Sequence, residues 1–185
     1  PTSAYSNLYE HNNLIYIVYN YAHISFNFGP TLLSWMEQYD QDAYQAVIMA
    51  DIISRKQHNG HGNAMAQVYN HIIMPLASSR DRETQILWGI ADFKKRFQRE
   101  PEGMWLAETA VDTPTLELLA HHQIKFTVLA PRQAKAFKKI GDDNWQNVNE
   151  TQLFTTSPYL CKLPSGNAII LFFYNGTVSR EVAFN

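Results

Sequence analysis

The chain has 185 residues, of which 45% are hydrophobic and 17% charged, a balance that suits a folded domain with a real core and excludes a disordered chain. Its formal net charge of -2 points to neither nucleic acid nor an acidic membrane as a partner. The single cysteine, Cys161, cannot form an internal disulfide and fits a reducing, cytoplasmic location.

No apolar run reaches the roughly 18 residues of a membrane span, and no signal peptide is recognisable. Pro1 has no initiator Met before it, and Val182-Ala183-Phe184-Asn185 ends without a cap. Both features suggest a piece of a longer chain. A trimmed product is the alternative. Aromatic residues make up 13% of the chain, with ten Tyr and four Trp. Such rings suit sugar stacking and cores equally.

In chain order, residues 1–13 read as polar and turn-like, and Leu14 to Tyr19 as a short apolar run, helix or strand. Ile24 to Phe28 alternates and predicts a strand closed by Gly29-Pro30, with Ser25 and Asn27 on one face. Thr31 to Gln38 predicts a helix with Leu32, Leu33, Trp35 and Met36 as its apolar face. Asp40 to Lys56 follows with Tyr44, Val47, Ile48 and Ile52 on one side.

The turn His58-Asn59-Gly60-His61-Gly62-Asn63 carries two histidines, with Asp51 and His71 as further potential metal ligands. Solvated loop histidines are the plainer reading, and His58 is taken so. Glycines on both sides of His61 would let a ligand approach the backbone closely, so His61 either lines a site or stays solvated. Ala64 to Leu76 is mixed, and His71 reads as a buried, hydrogen-bonded histidine. Arg80 opens the clearest helix, with Ile86, Ile90, Phe93 and Phe97 at helical spacing. Lys94, Lys95, Arg96 and Arg99 near its end read as a solvated face that complements the helix dipole.

The organising stretch is Gly103-Met104-Trp105-Leu106-Ala107-Glu108-Thr109. It predicts a short buried strand that delivers Glu108 to its C-terminal end, before a helix opened by Thr113-Pro114. Catalytic groups of parallel α/β folds sit at that end, because the loops there line the ligand crevice. A solvated loop residue is the alternative for Glu108. Asp112 reads as a helix cap. Helix 113–122 and strand 124–129 complete a βαβ unit, which leaves Arg132 and Gln133 at the same edge as Glu108, to touch substrate or to cap the next helix. Gly141 to Thr156 is irregular. Strands 159–163 and 168–174 form a hairpin around Pro164-Ser165-Gly166-Asn167, and Asn175-Gly176 reads as a second turn.

The run PEGMWLAETAVDTPTLELLA with IKFTVLAPRQA resembles family 57 of the glycoside hydrolases, in the subgroup whose barrel carries an added domain of unknown function. HISFNFGPTLLSWME, NGHGNAMAQVYNH and LPSGNAIILFFYNG fit the same group, so the resemblance covers nearly the whole chain. It implies one partial catalytic domain over residues 1–185, an α/β fold of incomplete (β/α)7-type barrel truncated at both ends. It further implies a retaining enzyme acting on α-glucans or oligosaccharides, by hydrolysis or glycosyl transfer, with no cofactor or metal. The nucleophile of the Trp-x-x-Glu motif falls on Glu108. Trp105 opens that motif, in packing or in sugar binding, and the Gly-His-Gly of a second motif falls on His61. Arg132 is a further substrate-binding candidate.

The sequence departs from the family pattern in three places. No N-terminal His-x-His strand is present, no Asp-Gly-Glu motif with the general acid follows, and Asn175 stands where the pattern has Asp. The resemblance therefore implies a nucleophile whose acid lies in the remainder of its own catalytic domain. Two other classes stay open: a metal-dependent polysaccharide deacetylase using His58, His61 and Asp51, and a non-catalytic carbohydrate-binding module.

Overall fold

A computed structural model describes residues 5–10, 13–149 and 152–184, with side chains described from Tyr19 onward. An antiparallel hairpin, β1 (Tyr5–Glu10) and β2 (Asn13–Tyr19), opens the chain. Two helices follow, α1 (Pro30–Tyr39) and α2 (Gln41–Gln57). Pro30 starts α1 at a position where its missing N–H costs nothing. The Asp40 carboxylate accepts from Ala43 N and so starts α2.

The centre is an open sheet of short parallel steps. Residue Phe26 bridges Ala64, β3 (Ala66–Gln67) pairs with β4 (Met104–Trp105), and Gly103 bridges Phe126. Beyond that, β5 (Phe126–Leu129) pairs in parallel with β9 (Ala168–Phe173), and β8 (Tyr159–Lys162) closes the row antiparallel to β9. The seam between β4 and β5 is sewn by a buried bond from Thr127 Oγ1 to Met104 O, 2.8 Å. Helix α3 (Ser79–Phe97) covers β3, and α4 (Thr113–His121) makes the crossover from β4 to β5. A short ladder, β6 (Ala136–Phe137) with β7 (Gln146–Asn147), and α5 (Gly176–Phe184) complete the order. Among the described residues the sheet does not close into a barrel. It is an α/β fold with an open row of strands.

One core joins these layers. Leu33, Met74, Ile86, Met104, Leu119 and Ile169 are each almost inaccessible to solvent and belong to one cluster. Gly89 lets α3 lie directly on β3, since a Cβ there would collide with the Gln67 carbonyl. Among the described residues no helix is long and apolar enough to cross a membrane.

Several expectations need correction. The strand expected at 24–28 shrinks to the single bridge of Phe26, whose N–H donates to Asn63 O and whose carbonyl accepts from Met65 N. Among the described residues only Phe26 finds a ladder partner, at Ala64, and the residues on either side of it pair with no strand. The parallel partner β3 went unrecognised, because two residues give no alternation to read. On α1 only Leu33 and Met36 of the expected face turn inward, while Leu32 and Trp35 lie exposed.

The basic cluster of α3 is only partly solvated. The Arg96 side chain is 3% exposed and paired with Asp92 and Glu37. Burial alone would lower its pKa, but bonds to Tyr44 and Glu37 and the charge of Asp92 raise it. Arg99 is partly buried, against the fully buried Asp51. Finally, the turn expected at Asn175-Gly176 is the start of a helix. The Asn175 side chain accepts from Val178 N and caps α5.

Candidate active site

Because the central strands run parallel, residues that follow each strand gather at one edge, here the exit edge, and residues that precede them gather at the entrance edge. Glu108 follows β4 at the exit. The chain there turns through Ala107–Thr109 with Glu108 at φ 55, ψ 18 and Thr109 at φ 53. Left-handed backbone is uncommon for any non-glycine residue and a genuine outlier for a β-branched one. Each such residue costs on the order of 1–3 kcal/mol and persists only where its surroundings hold it. Leu106 and Ala107 are buried at 0% and 1%, so the turn is anchored from below. The strain has a geometric result: the Glu108 side chain leaves the sheet and is 69% exposed.

His71 meets it there. Its Nε2 lies 3.0 Å from Glu108 Oε1, within hydrogen-bonding distance for an N–H donating to the carboxylate. The His71 loop leaves the exit end of β3 and is pinned by α3. Tyr69 N donates to Gln85 O, and Asn70 N donates to Gln85 Oε1 at 2.7 Å. The buried histidine expected at position 71 is thus corrected. Its side chain is 66% exposed, because the loop carries it past the strand end into the open edge.

Two further groups frame the turn. Gln133 Nε2 donates to Thr109 O at 2.7 Å, while Gln133 Oε1 accepts from Ala130 N at 2.7 Å. Asp112 caps α4 by accepting from Thr115 N and receives two bonds from Arg82 Nη1 at 3.1 Å. Burial would raise the Asp112 pKa, but the bonds from Thr115 and the charge of Arg82 outweigh it and hold the carboxyl below its ordinary range. Arg82 Nη2 also donates to the carbonyls of Pro75 and Ala77 and so ties the segment after His71 to the loop after Glu108.

The other expected site residues lie apart from this pair to different degrees. Arg132 is exposed in the turn after β5, at the same edge. Trp105 is half-buried within β4, opposite Gln67. His61 does not approach Glu108. It precedes β3, so the parallel register puts it at the entrance edge, where Nδ1 lies 2.8 Å from Glu102 Oε2. At about 3.3 Å per strand residue, that is roughly 15 Å from the exit. The same turn shows why its second glycine is needed. A Cβ on Gly62 would run into the Asp51 carboxylate and the Arg99 guanidinium, which form a buried two-pronged pair at 2.8 and 3.0 Å.

The triad considered for a metal is dispersed. Asp51 is committed to Arg99, His61 to Glu102, and His58 lies in solvent. Among the described residues no three potential metal ligands converge. Sequence reasoning missed His71 at the exit edge, and it placed Gln133 there without its bond to Thr109. Recognising β3 would have found His71, since a residue shortly after a parallel strand belongs to that edge.

The family described as Glycosyl hydrolase family 57 matches residues 4–185. No curated protein matches the chain. Among solved structures, a 4-alpha-glucanotransferase from Thermococcus litoralis is similar, with TM-score 0.65 and 18% identity over 89% of this chain and 24% of that one. An exo-type maltose-forming amylase from Pyrococcus sp. ST04 has TM-score 0.63 and 21% identity, over 87% and 24%. A branching enzyme of the same family from Thermococcus kodakaraensis has TM-score 0.51 and 21% identity, over 82% and 31%. At these identities the likeness is one of fold. The chain spans 24–31% of the length of these three structures.

Proposed function

Because this chain belongs to glycosyl hydrolase family 57, we propose that it supplies the nucleophile half of a retaining site acting on α-glucans, with Glu108 attacking the anomeric carbon. The observation that carries this reading is the exposed Glu108 carboxylate. It is turned out of the exit edge by a left-handed backbone and met by His71. A nucleophile needs an ionised, oriented oxygen with open access, and a donor on one oxygen leaves the other free to attack. In this reading His71 positions Glu108, and Arg132 and Trp105 are candidates for sugar contacts. Two of the similar structures are, by their names, a 4-alpha-glucanotransferase and a maltose-forming amylase, which supports that substrate class.

A retaining mechanism needs a second carboxyl, protonated, about 5–5.5 Å from the first. Asp112 is unsuited, because Arg82 and Thr115 occupy it and hold its pKa down, whereas an acid needs it raised. We therefore place the general acid, and the strands that would complete the barrel, in the remainder of the catalytic domain, in a reducing cytoplasmic setting.

Residues 1–185 alone should then turn over α-glucan weakly or not at all, since general acid catalysis contributes roughly 10²–10⁴-fold. An α-glucosyl fluoride, whose leaving group needs no proton, should react faster, and Glu108→Gln should abolish that reaction. Fluoride release unchanged in Glu108→Gln would refute the assignment. Glucan binding without any turnover in the complete domain would instead favour a carbohydrate-binding module.

A further inference from the structure

We infer that Gln133 is a positioning residue for Glu108: its carboxamide clamps the left-handed turn that aims the nucleophile. The inference rests on the nucleophile reading above. Glu108 and Thr109 are two successive non-glycine residues at φ 55 and 53, and the second is β-branched. The bonds within the turn, Thr109 N to Leu106 O and Ala110 N to Ala107 O, do not account for this. A relaxed right-handed 3-10 turn would make the same two bonds.

The Thr109 carbonyl is different, because its direction depends on the left-handed conformation, and Gln133 holds it there. The same carboxamide takes the Ala130 N–H with its oxygen, so one side chain spans the exits of β4 and β5. Its own backbone is fixed, because Pro131 begins the turn and Gln133 N donates to Ala130 O. The clamp is neutral and does not titrate with the site. Its effect is geometric. Released from Gln133, Thr109 would relax toward the right-handed or extended region, and Glu108 would leave His71 and the line of attack. A misplacement of about 1 Å at a reacting group costs up to roughly 10²-fold in rate.

The test measures the rate at which an activated 2-fluoro glucosyl donor labels Glu108 in the full chain, with folding followed by thermal melting. Gln133→Leu keeps the bulk and removes both bonds. It should slow labelling by about 10²-fold with little change in the donor concentration at half-saturation. Thr109→Gly should rescue it. Glycine takes positive φ freely, so the turn no longer needs a clamp, and adding Gln133→Leu to Thr109→Gly should then cost less than about tenfold. The pH profile of labelling should keep its shape in Gln133→Leu, since a carboxamide carries no titrating proton. If Gln133→Leu does not fold, Gln133→Asn, too short to reach both partners, carries the same expectation.

Folded Gln133→Leu labelling at the wild-type rate would overturn the clamp. So would equal losses with and without glycine at position 109. If the wild type is not labelled at Glu108, the nucleophile reading itself has failed, and the clamp falls with it. That outcome differs from a labelled wild type with an indifferent Gln133.

Discussion

Strand β4 has a glutamate–histidine pair at each end, and the two are built oppositely. At the entrance, Glu102 is 24% exposed and holds both His61 and Lys125 at 2.8 Å. The Lys125 bond, opposed by burial and aided by His61, lowers its pKa from the ordinary value. At the exit, Glu108 is 69% exposed, sits on strained backbone and meets His71 at 3.0 Å. Among the described residues no lysine or arginine bridges to it. The same two residue types thus make a neutralised knot at one edge and an open carboxylate at the other. Chemical identity and spacing along the chain do not distinguish them. Backbone conformation and the nearest cation do.

The sharpest way to break this contrast is to exchange the two carboxylates for amides. Glu108→Gln should lower turnover of the complete domain by roughly 10⁴-fold or more, as losses of catalytic side chains acting in a unit do. Its stability should change by no more than about 0.5 kcal/mol, as for other surface positions. Glu102→Gln should leave turnover within about twofold while lowering stability by no more than about 1 kcal/mol. Steady-state rates beside urea denaturation check both. Equal activity losses at the two ends would erase the distinction.

Next in size is the frame beneath the entrance edge. Asp51→Ala strands the Arg99 charge, whose partner is 1% exposed, and should destabilise the fold by about 3–5 kcal/mol. Gly62→Ala should act in the same direction through collision with that pair. A denaturation midpoint unmoved by either would show that the pair is not a structural anchor.

His71→Ala should slow glycosylation of Glu108 by about 10²-fold through lost orientation. His61→Ala should change that rate by less than about twofold, since its partner is at the far edge. A comparison of single-turnover rates decides this, and a larger effect at His61 would reverse the assignment of the edges.

The smallest effect is on pH dependence. Glu102 is depressed in the folded state, so its contribution is present above the unfolded value of 4.5 and lost as pH falls below it. Asp112 has the same sign, with its loss below 3.8. Lys125→Met should flatten the fall in unfolding free energy as pH drops below 4.5. An unchanged slope would remove Lys125 as the cause.

The sequence made the long elements and the exit of β4 legible, and it left the short ones hidden. Helices α2, α3 and α4 announce themselves by apolar spacing, and α4 also by its cap Asp112, and each is found close to where it is expected. Glu108 was placed at a strand exit by the apolar run before it. His71 was misread, because β3 is too short to show a period and the loop after it looked like core. The glycines around His61 drew attention to the wrong edge. They serve a tight turn and the close packing of Gly62 on Asp51, which single-residue chemistry does not reveal. The left-handed pair at Glu108 and Thr109 was not legible either. Neither residue type favours that conformation, and it exists only because tertiary contacts, Gln133 among them, impose it.

The central claim, that the exit-edge glutamate is the nucleophile, is tested most directly by trapping it. The complete domain is incubated with an activated 2-fluoro glucosyl donor, digested and mapped by mass spectrometry. A single sugar on the peptide that contains Glu108, absent from Glu108→Gln and undiminished in Glu102→Gln, is the predicted result. A label on any other carboxylate, or undiminished α-glucan turnover in Glu108→Gln, would contradict it.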